Sequence, residues 1–117
     1  MTVEDSTPIY EPGDIVYGDD PFKGEEEARP WLIISNHDTR PFHGEQYIAL
    51  TLTTKSWLEG LIEIAAEDWV RGGTPEESRI VPWGVQSLES EDIDFWQGRI
   101  AHSLLEASIE ALIDELS

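Results

Sequence analysis

The amino-acid sequence predicts a mainly β protein of the α+β class, in which short antiparallel strands form a small barrel-like sheet and a C-terminal α-helix closes the chain. Two observations predict this class. Most of the chain consists of short segments of apolar, β-branched and aromatic residues, separated by turns that contain Gly, Pro or Asn. Only near the C-terminus does the spacing of apolar residues change from that of a strand to that of a helix.

The side-chain patterns predict the strands in order. Residues 13–17 alternate polar and apolar side chains, which is typical of a strand with one buried face. Residues 30–35 form a nearly continuous apolar run and predict a central strand buried on both faces. Residues 46–53 are rich in β-branched and aromatic side chains, which favour strands. Further strands are predicted at 61–64, 79–81 and 93–100, the last with a bulge at Gly98.

The composition of the remaining segments and the spacing of their apolar residues predict loops and one helix. Residues 18–28 contain Gly, Pro and many acidic side chains, which predicts a solvated loop. Residues 65–70 are compatible with a helical turn or with a loop. Ser103 and Glu106 fit a capping box at the start of the terminal helix. One apolar stripe of this helix is predicted from the spacing of Leu105, Ile109, Leu112, Ile113 and Leu116.

Length and composition limit the possible classes of protein. The 117 residues suit a single domain over 1–117, with residues 1–12 as a loose N-terminal lead-in. The chain contains no Cys, which excludes disulfides, thiolate nucleophiles and Cys-based zinc sites. No apolar run approaches the roughly 18 residues of a membrane span, and the N-terminus lacks the pattern of a secretory signal. We therefore expect a cytoplasmic protein.

The chain is strongly acidic, with 25 Asp and Glu against 7 Lys and Arg and a formal charge of −18. Such a charge disfavours nucleic-acid binding, because phosphate binding relies on Lys and Arg. The acidic residues are spread along the whole chain, however, and Lys occurs only at positions 23 and 55. This distribution is typical of a halophilic surface, since high salt screens the repulsion. The alternative interpretation is an acidic surface that binds a basic protein.

Several segments resemble the MazF/PemK/Kid toxin family, in the family's order along the chain. Residues 13–16 (GDIV), 20–26 (DPFKGEE) and 29–36 (RPWLIISN) are similar to the opening of these toxins. Later similarities are TTKS at 53–56, VQSL at 85–88 and GRI at 98–100, just before the terminal helix. Each similarity is short, but together they extend over most of the chain.

The resemblance implies a fold, an activity and partners. It implies an SH3-like small barrel that forms a homodimer. It also implies a sequence-specific endoribonuclease that cleaves single-stranded RNA or mRNA without a metal or other cofactor, leaving 2′,3′-cyclic phosphate and 5′-hydroxyl ends. Such a toxin is held inactive by a cognate antitoxin protein, so the expected partners are RNA, the antitoxin and a second copy of the chain.

The predicted catalytic residues are Arg29, Thr53 and Thr54. Arg29 corresponds to the arginine of the family's R-P motif, and a guanidinium offers two parallel donors to a phosphate at any working pH. The family's catalytic threonine aligns best with Thr53, with Thr54 as the alternative one residue later. Strand alternation places Thr53 on the same face as Thr51. Threonines at these positions also suit a half-exposed strand with no catalytic role.

Other residues are candidates for RNA contact. Lys23 and Lys55 are assigned to RNA binding, Lys23 through a backbone phosphate. Trp57 and Trp83 can stack on unpaired bases, which contributes about 1–3 kcal/mol per base. The alternative places these two tryptophans in the core or at a dimer interface. Trp31 and Trp96 lie within predicted strands and are expected in the core.

The general base is left open between two residue types. Glu26 or one of its acidic neighbours can serve as the base if their loop folds over the phosphate. Of these residues, Glu26 is the candidate for RNA contact. Histidine has a suitable pKa for proton transfer. His43 is the RNA-contact candidate of this type, and His37 and His102 are further possibilities.

Two departures from the family pattern support an alternative function. Residues 82–84 (PWG) replace a triplet that contains an acid in many members of the family. Residues 89–92 (ESED) replace a basic stretch that would bind RNA. The alternative is a non-catalytic interaction module with the same fold, whose acidic loops bind a basic protein partner.

Overall fold

The computed structural model describes residues 9–20, 24–36, 44–55 and 59–117, with the side chains of 24–27 excepted. In this part of the chain, seven antiparallel strands form one curled sheet, and a C-terminal helix packs against it. The strands are β1 Asp14–Asp20, β2 Gly24–Ile33, β3 Gln46–Thr53, β4 Ile62–Glu63, β5 Trp69–Gly72, β6 Arg79–Glu89 and β7 Ile93–Ile100. The helix α1 spans His102–Glu115, and short 3-10 turns lie at Ala66–Asp68 and Ser90–Asp92. The strand order is β4-β6-β3-β2-β1-β7-β5.

The alternation of side chains along the central strands creates two hydrophobic clusters, one on each face of the sheet. In β2, Leu32 belongs to one cluster, whereas its neighbours Trp31 and Ile33 belong to the other. All three side chains are at most 2% exposed, which confirms the prediction of a strand buried on both faces. The Leu32 cluster also contains Ile80 of β6 and Ile100 of β7. Because these strands lie toward opposite ends of the sheet, their contact requires the sheet to curl into a half-barrel.

The helix α1 covers the open side of this half-barrel. Leu105 and Ser108 are buried, and the Ser108 hydroxyl donates to the carbonyl oxygen of Leu104 at 2.8 Å. The predicted capping box is wrong, because α1 begins at His102 with Ala101 as its N-cap. Ser103 therefore lies within the first turn. No helix among the described residues is both long enough and apolar enough to cross a membrane.

The apolar stripe predicted for α1 is correct only in its first part. Leu105, Ile109 and Leu112 contact the core, whereas Ile113 is 55% and Leu116 78% exposed. The last turn therefore extends beyond the sheet surface that buries the earlier turns.

One loop assignment and the end of one strand are corrected. Residues 18–28 are not a solvated loop, because β1 continues to Asp20 and β2 begins at Gly24, with Asp20 paired to Gly24. Backbone pairing in the hairpin outweighs the low strand propensity of acidic residues. The predicted strand at 79–81 extends to Glu89. It passes Pro82 through a bulge, because Leu50 and Leu52 of β3 pair with Val85 and Ile80 respectively.

A buried carboxylate joins the N-terminal segment, β1 and β7. Asp14 is 5% exposed. Its Oδ1 accepts a hydrogen bond from Trp96 Nε1 at 3.2 Å and forms an ion pair with Arg99 Nη2 at 2.9 Å. Its Oδ2 accepts a hydrogen bond from the backbone N–H of Glu11 at 2.8 Å. The indole of Trp96 is therefore held at the surface, 41% exposed, and the expectation that it lies in the core is wrong.

A pair of alanine substitutions tests the close approach of β1 to the turn before β7. A Cβ at Gly18 would collide with the carbonyl oxygen of Asp92, whereas a Cβ at Gly73 meets nothing within 4 Å. We expect Gly18→Ala to lower the free energy of unfolding by roughly 1–3 kcal/mol. Gly73→Ala should change it by no more than about 0.5 kcal/mol. Urea unfolding of both variants measures the difference, and equal effects would contradict the close approach.

A second prediction concerns alkaline stability. Tyr47 is 1% exposed, its hydroxyl oxygen accepts from the backbone N–H of Tyr10 at 3.2 Å, and burial raises the pKa of its phenol above 10.0. The folded state thus favours neutral Tyr47. The stability gained in this way is present below the unfolded pKa of about 10 and is lost as pH rises through the folded value. Urea unfolding between about pH 9 and 11.5 should show a smaller loss for Tyr47→Phe than for the control Tyr17→Phe. Parallel losses in the two variants would refute this role of Tyr47.

Candidate functional site

An open groove of about 720 Å³ lies between β1, β2 and β7 and the end of β3. Its walls come from β1, β2, the end of β3, β7 and the loop between β5 and β6. The lining includes Arg29, Thr53, Thr54, Lys55, Phe95 and Gln97. The groove therefore brings together all three predicted catalytic residues and one predicted RNA contact.

The last pair of the β2–β3 ladder lies next to Arg29 and Thr53. This pair is Trp31 with Thr51, and Arg29 and Thr53 each lie two residues further along their strands. Alternation puts Arg29 on the same face of β2 as Trp31, and Thr53 on the same face of β3 as Thr51. Nη1 of Arg29 donates to Oγ1 of Thr51 at 3.5 Å. This hydrogen bond directs the guanidinium toward β3, the strand that carries Thr51 and Thr53.

The charge of Arg29 is partly balanced by a carboxylate. Nε of Arg29 is 3.9 Å from Oδ2 of Asp20, and the side chains are 30% and 12% exposed respectively. This distance is longer than a hydrogen bond, so the contact is electrostatic. A phosphate that approaches Arg29 therefore meets a guanidinium within reach of solvent, with a carboxylate beside it that reduces the local positive potential.

The end of β3 presents two hydroxyls and an ammonium. Oγ1 of the half-buried Thr53 accepts a hydrogen bond from the backbone N–H of Lys55 at 3.2 Å. A threonine hydroxyl can accept and donate at the same time, so Thr53 keeps a proton for a ligand oxygen. The side chains of Thr54 and Lys55 are exposed.

The other candidate residues are not placed in this groove. Trp83 lies in the bulge of β6, 46% exposed, and is not part of the lining that the structure describes. Lys23, His43 and Trp57 lie outside the described residues, as does the side chain of Glu26 in β2.

Of the two remaining histidines, the structure describes only His102. His37 is outside the described residues, and Nε2 of His102 lies 3.0 Å from Oε2 of Glu106 on α1. Within residues 9–20, 24–36, 44–55 and 59–117, no three His, Asp or Glu side chains form a metal-binding group.

Three residues of the groove wall were missed by the sequence analysis. Tyr17 and Phe95 stack with ring centroids 5.1 Å apart and planes inclined by 13°. Gln97 contributes a buried amide oxygen that has no hydrogen-bond partner among the described residues. A buried acceptor in this state is a position where a ligand donor is favourable. The alternation along β1 and β7 signals strands, but it does not reveal that these strands are neighbours.

Comparisons with known proteins establish the fold. No protein-family model matches the chain, and no curated protein matches its sequence. Solved structures do match. An endoribonuclease from a mycobacterial species is 20% identical with a TM-score of 0.71, covering 95% of this chain and 94% of that one. A mycobacterial endoribonuclease in complex with its cognate antitoxin is 22% identical with a TM-score of 0.68, covering 95% of this chain and 94% of that one. MazF from Deinococcus radiodurans is 15% identical with a TM-score of 0.71, covering 93% of this chain and 97% of that one.

The contact between Arg29 and Asp20 predicts how the groove responds to a change of charge. Asp20→Asn should bind inorganic phosphate roughly two- to five-fold more tightly, because removing one member of a partly exposed ion pair is worth about 0.5–1 kcal/mol. Arg29→Gln should abolish the binding. Asp94→Asn makes the same charge change at an exposed position of β7 and is the control. NMR titration at low salt measures these affinities, and equal tightening by Asp20→Asn and Asp94→Asn would contradict a local effect.

Proposed function

We propose that this chain, which has the fold of the MazF endoribonucleases, is the toxin of a type II toxin–antitoxin pair and cleaves single-stranded RNA without a metal ion. The observation that carries the proposal is that Arg29 and Thr53 line one open groove of this fold, with Arg29 hydrogen-bonded to Thr51 of the same strand as Thr53. A guanidinium and a hydroxyl on one face of the sheet can contact different oxygens of one phosphodiester.

The chemistry follows from these groups. The ribose 2′-hydroxyl loses its proton to a general base and attacks the adjacent phosphorus, and the bond from phosphorus to the 5′ oxygen breaks. The leaving oxygen takes up a proton, which gives a 2′,3′-cyclic phosphate and a 5′-hydroxyl. Arg29 neutralises the charge that develops on the non-bridging oxygens. Thr53 donates its remaining proton to one of these oxygens, and the more exposed Thr54 is the alternative donor.

The remaining candidate residues extend the RNA path. Lys55 follows the catalytic threonines in the groove and binds a neighbouring backbone phosphate. Lys23 keeps the backbone phosphate contact that the family resemblance implies. Trp57 remains a candidate for stacking on a base, and Glu26 and His43 remain candidate bases, all three from the chemistry of their side chains. For Trp83, its exposed position outside the described groove lining supports the dimer-interface alternative.

The proposed partners are RNA, a cognate antitoxin and a second copy of this chain in the cytoplasm. One of the solved structures with this fold is an endoribonuclease in complex with its cognate antitoxin, which supports such a partner here. The net charge of −18 further supports a halophilic protein that binds RNA at high salt, where repulsion between its carboxylates and the phosphates is screened.

A second candidate function is a non-catalytic module that binds a basic protein. It is favoured by Glu89 and Glu91, which are exposed beside the end of β6 at the place of the family's basic stretch. These carboxylates repel RNA and attract a basic surface.

Substitution of Arg29 tests the nuclease proposal. With purified protein in about 1 M KCl, where screening supports an acidic fold, Arg29→Ala should lower the rate of RNA cleavage by roughly 100- to 1,000-fold, as loss of one transition-state donor does. Arg71→Ala removes an exposed arginine of β5 outside the described groove lining and should cleave at the wild-type rate. End-labelled RNA and mapping of the product ends provide the measurement.

The interaction module predicts a different result. Wild-type protein would leave RNA intact, and growth of a salt-tolerant host would not depend on Arg29. Cleavage by Arg29→Ala at the wild-type rate would refute the assigned role of Arg29. Circular dichroism at the assay salt confirms that each variant is folded.

A further inference from the structure

We infer that the stacked rings of Tyr17 and Phe95 form a platform for one unpaired base of the RNA, next to the phosphate held by Arg29. This inference rests on the proposed function and adds a base-binding subsite to it. The two rings stack at 5.1 Å, and Phe95 is 51% exposed although it lines the groove. Tyr17 covers one face of Phe95, so the other side of the ring is open to a third aromatic plane.

The strand ladders and one hydrogen bond fix the position of this platform. Tyr17 pairs with Phe95 across β1 and β7, and with Pro30 across β1 and β2. The Tyr17 hydroxyl donates to the carbonyl oxygen of Ala28 at 3.4 Å. The ring is thereby attached to the residues on both sides of Arg29. A stacking surface held in this way loses little conformational entropy when a base binds.

The pleat directs Arg29 and Tyr17 to opposite faces of the sheet, since Arg29 pairs with Gly18, the residue after Tyr17. Both residues nevertheless line the groove, whose wall includes parts of β1, β2 and β7. A strand of RNA in this groove can place a phosphate against Arg29 and the adjoining base against Phe95.

The electrostatics of the groove favour stacking as a source of affinity. Arg29 and Lys55 are the cationic side chains in the described lining, which also contains Glu76, and Asp20 lies beside Arg29. Phosphate contacts weaken as salt rises, with a slope of about −0.7 per neutralised charge for single strands. Stacking on an aromatic ring depends less on salt and requires a base that is not paired. The platform therefore also explains a preference for single-stranded RNA.

Truncation of Phe95 is the direct test. In about 1 M KCl, Phe95→Ala should lower kcat/KM for RNA cleavage by roughly 5- to 150-fold, the loss typical of a removed stacking aromatic. Phe95→Tyr keeps the ring and should restore most of the activity. Val70→Ala is the control, since Val70 is an apolar side chain that is 60% exposed and outside the described groove lining. Wild-type activity of Phe95→Ala would overturn the inference.

Abasic substrates separate stacking from a structural effect. Once the cleavage position is mapped in a defined RNA, single abasic riboses are introduced on either side of it. For wild-type protein, one abasic position should lower kcat/KM about as much as Phe95→Ala does. Phe95→Ala should lose nothing further at that position. If the abasic position lowers kcat/KM of Phe95→Ala by the same factor as it lowers that of the wild type, the base does not contact Phe95.

A binding assay keeps this inference separate from the proposed cleavage. A fluorescent RNA oligonucleotide with a 2′-deoxyribose at the mapped site cannot be cut there, and its anisotropy reports affinity alone. If no cleavage site is found, a labelled polyuridine RNA is used. Weaker binding by Phe95→Ala, with rescue by Phe95→Tyr, supports the platform even if the wild type fails to cleave. Unchanged binding by Phe95→Ala overturns the platform even if Arg29 proves essential for cleavage.

Discussion

The buried carboxylate of Asp14 holds together the parts of the sheet on which the groove depends. It accepts hydrogen bonds from Trp96 of β7 and from the backbone of Glu11, and it forms an ion pair with Arg99 of β7. A buried carboxylate must be paired in this way, because leaving it without donors would cost several kcal/mol. These contacts lie beside the point where the β1–β7 register shifts, since Ile15 and Val16 pair with Gly98 and Trp96. The bulge confirms the prediction made for Gly98 and turns the intervening residue toward the groove wall.

Two properties of the groove act against each other: the backbone pairing that positions its side chains and the charge around Arg29. Backbone pairing between β2 and β3 ends at Trp31 and Thr51, two residues before Arg29 and Thr53. This register is stabilised by two buried faces, since a slip by one residue would expose both hydrophobic clusters. Charge opposes the binding of an anion there, because Asp20 lies 3.9 Å from Arg29 and Glu76 lines the same groove. An anion bound in the groove would depend on close contacts, because the field of the whole protein is strongly negative.

The sequence analysis predicted the strands with dense apolar residues better than the segments that contain acidic residues or Pro. The strand at residues 46–53 and the strand at 93–100 were predicted with the observed bounds, because their apolar and β-branched residues are dense. It failed at residues 18–28 and after Val81, where pairing with a neighbouring strand continues through acidic residues or across Pro82. The local composition is that of a loop in both places. Only the presence of a partner strand makes the extended conformation favourable there.

The sequence by itself determined the α+β class, the strand buried on both faces, the terminal helix and the resemblance that singles out Arg29 and Thr53. Periodicity and short motifs are local properties, so they can be read without knowing which strands are neighbours. The tertiary structure alone decided that Tyr17 and Phe95 stack, that Trp96 binds Asp14 at the surface, and that Trp83 lies outside the described lining of the groove. These contacts join residues up to 82 positions apart, and their formation depends on the curl and strand order of the whole sheet.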